Sequence, residues 1–261
     1  MVLNDREAPL RFLRTGYEPA DWVAVFLKIY QTGETTQRVV SVSEATSPRF
    51  QSWLRRRNAN SWNVYVSVNA VRPGRSRSRD AISGIRHVFL EEDADGPGLL
   101  ASLTTRPDLP PPSYVLHSSP GRIHVFWRVR GFDSGTVETM QKQLARELRS
   151  DTAATSCAQT TRLPGFANYK RLTPSPVTIE YLRPSAVLGI EDFPRTRSKK
   201  ANTSGRTSRT MPPWSASTSL YSSLKPCSFI QSFIFRLPSK EGVAPVPSVI
   251  KIGIARIRSH G

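Results

Sequence analysis

The chain has few cysteines and no long apolar run. Its 261 residues include only two cysteines, Cys157 and Cys227, too few for a disulfide framework or a set of zinc ligands. No apolar run approaches the length of a membrane span, and the N-terminal segment MVLNDREAPLRFL lacks the apolar core of a signal peptide. We therefore expect a cytoplasmic protein that has no membrane partner.

Acidic residues are almost missing from the last quarter of the chain. Residues 195–261 contain twelve Lys and Arg residues against one acidic residue, Glu241, so they carry +11 of the total net charge of +17. The segment is also rich in Ser and Pro and shows no helical or strand period, which predicts disorder. A basic tail suggests contact with nucleic acid, but the abrupt change would equally fit a shifted reading frame. We predict one domain over residues 1–194 and a separate basic tail over 195–261.

Helical and strand patterns alternate in the first 194 residues. Helix-start signals and apolar stripes predict helices that begin near residues 18 and 47, short helices at 99–103 and 151–161, and a longer one at 137–148. Alternating or apolar runs predict strands at 63–69, 87–92, 114–118, 122–129 and 177–181, and the third and fourth of these form a hairpin. The mixed order predicts an α+β fold, mainly an antiparallel sheet with flanking helices.

Four carboxylates follow the apolar strand in the segment HVFLEEDAD, residues 87–95. Because side chains alternate along a strand, Glu91 and Asp93 share one face and Glu92 lies on the other. Close carboxylates raise each other's pKa unless a cation lies between them, and oxygen ligands suit Mg²⁺, Mn²⁺ or Ca²⁺. A solvated turn explains the segment equally well at this point, whereas the spacing does not fit an EF-hand loop.

Several basic and polar residues are candidates for an anionic ligand. The arginine-rich loop 72–80 is either a solvated loop or a phosphate-binding loop. On the second hairpin strand His124 shares a face with Arg122 and Arg128, which suits a triphosphate. Asp151 is explained by helix capping alone, and three polar residues around a Pro-Gly turn are ordinary loop residues when taken singly: Arg162, Asn168 and Lys170.

Three segments together resemble a known family: FLEEDADG, SYVLHSSPGRIHVFW and DTAATSCAQTTRLPGFANYK. In this order, over residues 10–194, they are similar to the RepB-type primase domain of the archaeo-eukaryotic primase superfamily. The resemblance implies that Glu91 and Asp93 are paired metal ligands and that Asp151 is the third acidic residue. It also implies that His124 contacts the phosphates of the nucleotide, and that Arg162 and Lys170 bind phosphate or template. Glu91 stands where the wider superfamily usually has Asp.

The leading hypothesis is a DNA primase that makes short primers for a plasmid or other mobile element by two-metal-ion catalysis. Its catalytic residues would be Glu91, Asp93, His124 and Asp151, with Arg122 as a further phosphate ligand. Mg²⁺ or Mn²⁺ would be the cofactor, single-stranded DNA and NTP or dNTP the substrates, and a replicative helicase or an initiator protein a candidate partner. The alternative is a replication-initiation or single-strand-binding module of the same fold with weak or no catalysis. A rolling-circle nickase is disfavoured, because no His-x-His motif is present.

Overall fold

The computed structural model describes residues 5–74 and 76–195. The helices are α1 (Ala8–Gly16), α2 (Val42–Ala45), α3 (Pro48–Ala59), α4 (Gly96–Thr104) and α5 (Ser134–Glu147), with short 3₁₀ turns at Arg79–Ala81 and Ile190–Asp192. The strands are β1 (Trp22–Lys28), β2 (Thr35–Ser41), β3 (Asn63–Ser67), β4 (Ala70–Val71), β5 (Ile82–Gly84), β6 (His87–Glu92), β7 (Tyr114–Ser119), β8 (Arg122–Arg128), β9 (Thr160–Arg162), β10 (Ala167–Asn168), β11 (Ser175–Pro176) and β12 (Thr178–Tyr181). None of the helices in this described part of the chain combines the length and the apolar character of a membrane span. The predicted tail lies outside them except for Arg195, so its disorder and the domain boundary stay predictions.

Two antiparallel sheets form the body of the fold. The first sheet has the order β5-β4-β1-β3-β9, and β2 also pairs with β1. The second sheet has the order β12-β7-β8-β6, and β10 and β11 form a small separate ribbon. All of these strand pairs are antiparallel. The predicted α+β class with a mainly antiparallel sheet is therefore confirmed.

Strands β6, β7 and β8 of the second sheet are buried on both faces, and the alternation of their side chains separates two apolar cores. Phe89 and Phe126 belong to a core shared with the first sheet, α1 and α3. Their neighbours in sequence, Leu90 and Val125, belong to a second core built with α4 and α5. On β6 this alternation places Glu91 on the side of the first core and Glu92 on the side of the second.

The predicted helix at residues 18–29 is wrong, because residues 22–28 form strand β1. Asp21 does not start a helix: its carboxylate accepts a hydrogen bond from the backbone N–H of Glu18 at 2.8 Å and pairs with Arg86 at 2.6 Å. Val23, Val25 and Leu27 then face the first core at a strand period of two. A continuous apolar run matches both periods, and pairing with distant strands decides between them.

The predicted helix at residues 151–161 is also wrong. The Asp151 carboxylate accepts the backbone N–H of Ala153 at 2.7 Å within a turn, and the chain then enters β9. The helix α1 was not predicted. The other expected elements are confirmed with small shifts in their ends: α3, α4, α5, β3, β6, the β7–β8 hairpin and β12.

Candidate active site

A cleft opens where the first sheet, the β7–β8 hairpin and the segment after β9 meet. It is lined by two carboxylates, four cationic side chains, a histidine, two tyrosines and four small polar residues: Glu91, Asp93, Arg122, Arg162, Lys170, Arg171, His124, Tyr30, Tyr65, Ser118, Ser119, Thr160 and Asn168. The excess of cations over carboxylates makes the cleft suited to a polyanionic ligand.

Strand pairing between β6 and β8 aligns the first carboxylate with the histidine. Glu91 is the register partner of His124, and Glu91 Oε1 lies 3.4 Å from His124 Nε2. The other ring nitrogen, Nδ1, lies 2.8 Å from the Thr161 hydroxyl on β9. Contacts on both nitrogens fix the orientation of this buried ring.

The second carboxylate lies just beyond the end of β6. Asp93 accepts a hydrogen bond from Arg122 Nη1 at 2.7 Å, and this ion pair is partly exposed. Arg122 is the first residue of β8. Each of the two carboxylates therefore contacts a side chain of β8: Glu91 contacts an imidazole and Asp93 contacts a guanidinium.

The electrostatics of the cleft keep Glu91 ionised. Burial alone would raise the pKa of Glu91, but the hydrogen bond from His124 and the charges of His124, Lys170 and Arg162 together outweigh it, so the pKa is lowered. An ionised carboxylate can bind a metal ion or accept further hydrogen bonds.

Arg162 is a buried cation at the inner end of the cleft. It donates a hydrogen bond from Nη1 to Asn63 Oδ1 at 2.7 Å, and its guanidinium lies 4.7 Å from the ring centroid of Tyr65. Burial lowers the pKa of Arg162, yet a guanidinium stays protonated in proteins. Asn63 Oδ1 also accepts the backbone N–H of Tyr169 at 2.9 Å. One amide therefore holds both Arg162 and the chain that leads to Lys170.

The turn after β9 brings a second cation to the cleft. Gly165 has a φ of +82°, a conformation that favours glycine, and a Cβ there would lie 2.3 Å from the carbonyl oxygen of Asp5. Beyond it, Asn168 Nδ2 donates to the Ser118 carbonyl at 2.7 Å, and Asn168 Oδ1 accepts the backbone N–H of Lys170 at 2.9 Å. The segment RLPGFANYK is therefore tied to the hairpin turn.

Residues 30–181 match the family of the RepB DNA-primase N-terminal domain. This match covers more than half of the chain. The chain belongs to the RepB DNA-primase family. No curated protein matches it.

Three solved structures share the fold of this RepB-family domain. The primase RepB′ is 21% identical, with a TM-score of 0.55, over 69% of this chain and 57% of that one. The catalytic domain of RepB′ in complex with initiator DNA is 20% identical, with a TM-score of 0.53, over 69% and 87% of the two chains. The AEP domain of the cyanophage S-2L primase-polymerase is 18% identical, with a TM-score of 0.54, over 69% and 94%. The chain thus spans little more than half of the longer RepB′ structure.

Most of the predicted site residues of this RepB-family domain line one cleft: Glu91, Asp93, Arg122, His124, Arg162 and Lys170. Asp151 does not line it. The backbone N–H of Asp151 donates to the carbonyl oxygen of Glu91 at 3.0 Å, but its side chain is exposed and accepts Ala153 N–H. Within residues 5–74 and 76–195, no three His, Cys, Asp or Glu side chains are grouped closely enough to hold a metal ion. The structure therefore does not join Asp151 to the paired carboxylates.

Other candidates have structural partners away from the cleft. Glu92 accepts the backbone N–H groups of Ala94 and Asp95, and Asp95 caps α4 through Gly98 N–H. Arg128 donates to the carbonyl oxygen of Pro184 at 2.6 Å. In the predicted phosphate-binding loop, Arg79 pairs with Glu138, and Arg77 lies over the ring of Phe26.

Sequence reasoning missed the tyrosines and the residues that support the cleft from the first sheet. Tyr30 and Tyr65 line the cleft with their hydroxyl oxygens 2.9 Å apart, and Asn63 and Thr161 hold Arg162 and His124. The alternation in β3 could have indicated one of them. Tyr65 lies on the face opposite Val64 and Val66, so packing in the core does not explain why a tyrosine is present there.

Proposed function

We propose that this domain is a nucleotidyltransferase that makes short primers on single-stranded DNA from NTP or dNTP. The observation that supports this most directly is the composition of one cleft. Glu91 and Asp93 face it together with Arg122, His124 and Arg162. Phosphoryl transfer to a 3′-hydroxyl depends on positioning and on electrostatic stabilisation of the phosphates, and this set of side chains supplies both.

The cations would hold the triphosphate. Arg162 is fixed by Asn63 and by the Tyr65 ring, so its free N–H groups are oriented before a ligand arrives. Arg122 and Lys170 are more exposed and can follow the β- and γ-phosphates. His124 lines the same cleft beside Glu91, where it would neutralise charge that develops on the leaving pyrophosphate.

The paired carboxylates fit a divalent cation. Glu91 is ionised, Asp93 lies two residues further on, and both offer oxygen donors, as Mg²⁺ and Mn²⁺ require. Mg²⁺ is commonly bound by one or two carboxylates together with substrate phosphates. When bound, such ions stabilise the attacking and the leaving oxygens of the displacement, and we propose a two-metal arrangement. Asp151 remains the proposed third ligand and would need its side chain to turn toward Glu91.

The test is primer synthesis by the full chain on single-stranded DNA with labelled nucleotides and either Mg²⁺ or Mn²⁺. Asp93→Asn keeps the shape of the side chain and removes its charge. We expect it to lower the rate at least about a hundredfold, since a metal-ion interaction supplies several kcal/mol of transition-state stabilisation. Glu91→Gln should have a similar effect. A comparable loss in Asp151→Asn would support Asp151 as the third acidic residue, and an unchanged rate would exclude that role.

Asp95→Asn is the matched control, because Asp95 belongs to the same acidic segment but caps α4, and Asn caps a helix equally well. We expect its rate to equal that of the wild type. Equal rates for Asp93→Asn and the wild type would refute the assignment of the cleft as the catalytic site.

A second candidate is a replication-initiation or single-strand-binding module without catalysis. The existing contacts of the two carboxylates favour it, since Glu91 lies against His124 and Asp93 pairs with Arg122. In that case the wild type would bind single-stranded DNA but make no primer with either metal. A plasmid or mobile element as the source of the template, and a helicase or an initiator protein as a partner, belong to the same proposal.

A further inference from the structure

Aromatic rings lie in register across the outer face of the first sheet. This face is opposite the one that carries Val23, Val25 and Leu27 into the core. On it Phe26 pairs with Tyr65 of β3, and Tyr65 pairs with Arg162 of β9. The rings of Phe26 and Tyr65 are 5.9 Å apart between centroids, and both side chains are partly exposed although they belong to inner strands.

Cationic groups stand at both ends of this row. The guanidinium of Arg77 lies 5.1 Å from the Phe26 centroid, and that of Arg162 lies 4.7 Å from the Tyr65 centroid. Four residues therefore form a continuous line, which we call the aromatic track: Arg77, Phe26, Tyr65 and Arg162. Since Tyr65 and Arg162 also line the cleft, the track leads from the basic loop directly into the candidate active site.

The charges on and beside the track are available to a ligand. Lys28 lies beside it, with its ammonium 4.7 Å from the Tyr30 centroid. Among the described residues, neither Arg77, Lys28 nor Arg162 lies within ion-pair distance of a carboxylate. Partly exposed rings flanked by cations match the stacking platforms on which single-stranded nucleic acids bind.

We infer that the aromatic track binds single-stranded nucleic acid and guides the template strand into the cleft. Bases would stack on the Phe26 ring or on the guanidinium plane of Arg77, and the phosphates would follow Lys28 and Arg77 toward Arg162. A duplex is disfavoured because its bases are already stacked on each other and offer no free face to a ring. That the bound strand is a template rests on the proposed function, whereas the binding of single-stranded nucleic acid to the track does not depend on it.

The experiment measures fluorescence anisotropy of a labelled oligothymidylate with the full chain, in EDTA and without nucleotides. Phe26→Leu keeps an apolar side chain and removes the ring, so we expect about tenfold weaker binding, the fold-change of losing one stacked base. Arg77→Gln should lower the slope of log affinity against log salt by about 0.7, the value for one phosphate contact on a single strand.

Trp53→Leu and Arg38→Gln are matched controls, because Arg38 lies 4.3 Å from the Trp53 centroid in the same kind of pair on the core-facing side of the sheet. We expect both to bind like the wild type, and all variants to show cooperative urea unfolding. The basic segment 195–261 is present in every variant, so a difference between two variants reports on the substituted residue.

The outcomes separate this inference from the proposed function. If Phe26→Leu and Arg77→Gln bind as tightly as the wild type, or if binding depends on Trp53 and Arg38 instead, the aromatic track is refuted even when the chain makes primers. If the wild type binds through the track but makes no primer with either metal, the track stands and the enzyme assignment fails.

Discussion

His87 makes the stability of this domain depend on pH in a predictable way. The ring is fully buried, with Nδ1 2.7 Å from the carbonyl oxygen of Val68 and Nε2 against the hydroxyl of Tyr114. A carbonyl can only accept, so Nδ1 carries the proton and Nε2 accepts from the tyrosine. Burial, aided by the charges of Arg128 and Arg86, lowers the pKa of His87 from 6.5 to about 4.

The direction of this pH dependence is set by the pKa of His87 in the unfolded and in the folded state. The unfolded chain protonates His87 near its ordinary pKa of 6.5, whereas the folded protein does so only near 4. Stability is therefore complete above about pH 6.5 and falls as the pH drops toward 4. At about 1.4 kcal/mol per pKa unit, the total loss is roughly 3 kcal/mol, and about 2 kcal/mol of it is lost by about pH 5.

Urea unfolding of the full chain, followed by tryptophan fluorescence at about pH 7.5 and about pH 5, measures this loss. The comparison variant is His87→Gln, whose amide can donate to Val68 and accept from Tyr114 but does not titrate. We expect the wild type to lose about 2 kcal/mol more than His87→Gln between the two pH values. An equal loss in both proteins would show that the reasoning about His87 is wrong.

Two further substitutions test the cleft and the turn that supports it. Gly165→Ala should lower the free energy of unfolding in urea by more than Gly121→Ala does. Both glycines have positive φ, which costs roughly 1–2 kcal/mol for alanine. Only at Gly165 would the new Cβ also meet a backbone atom, the carbonyl oxygen of Asp5, at 2.3 Å. Thr161→Val should lower kcat for primer synthesis about fivefold, the effect of losing one hydrogen bond of about 1 kcal/mol to the cleft histidine. Thr161→Ser should restore the rate, and an unchanged kcat in the valine variant would exclude a positioning role.

The sequence predicted the parts of the site that come from continuous patterns. The alternation around Glu91 and around His124 predicted which side chains share a face within each strand, because a strand period of two is visible in a single segment. That the two strands pair, with Glu91 opposite His124, is seen only in the structure. By contrast, β1 was mistaken for a helix, since its core-facing and outer residues are almost all apolar and its identity depends on β2 and β3.

The remaining site residues could not be predicted because they come together only through tertiary pairing. Tyr30 contacts Tyr65 across 35 residues of chain, and Asn63 accepts a hydrogen bond from the predicted Arg162 across 99 residues. Asp151 shows the converse limit. Its place in a recognisable segment suggested a metal ligand, but in the structure its carboxylate is occupied by a local turn.

The pairing of β9 with β3 also has a kinetic consequence. It joins the first sheet to a segment that follows both strands of the hairpin and α5, so it closes one of the longest loops in the domain. Long-range contacts form slowly, because the entropy of loop closure opposes them until the rest of the structure is in place. The cleft should therefore be among the last parts of the domain to form during folding, and a chain that ends before Thr160 would lack Arg162 and the cleft while keeping most of the second core.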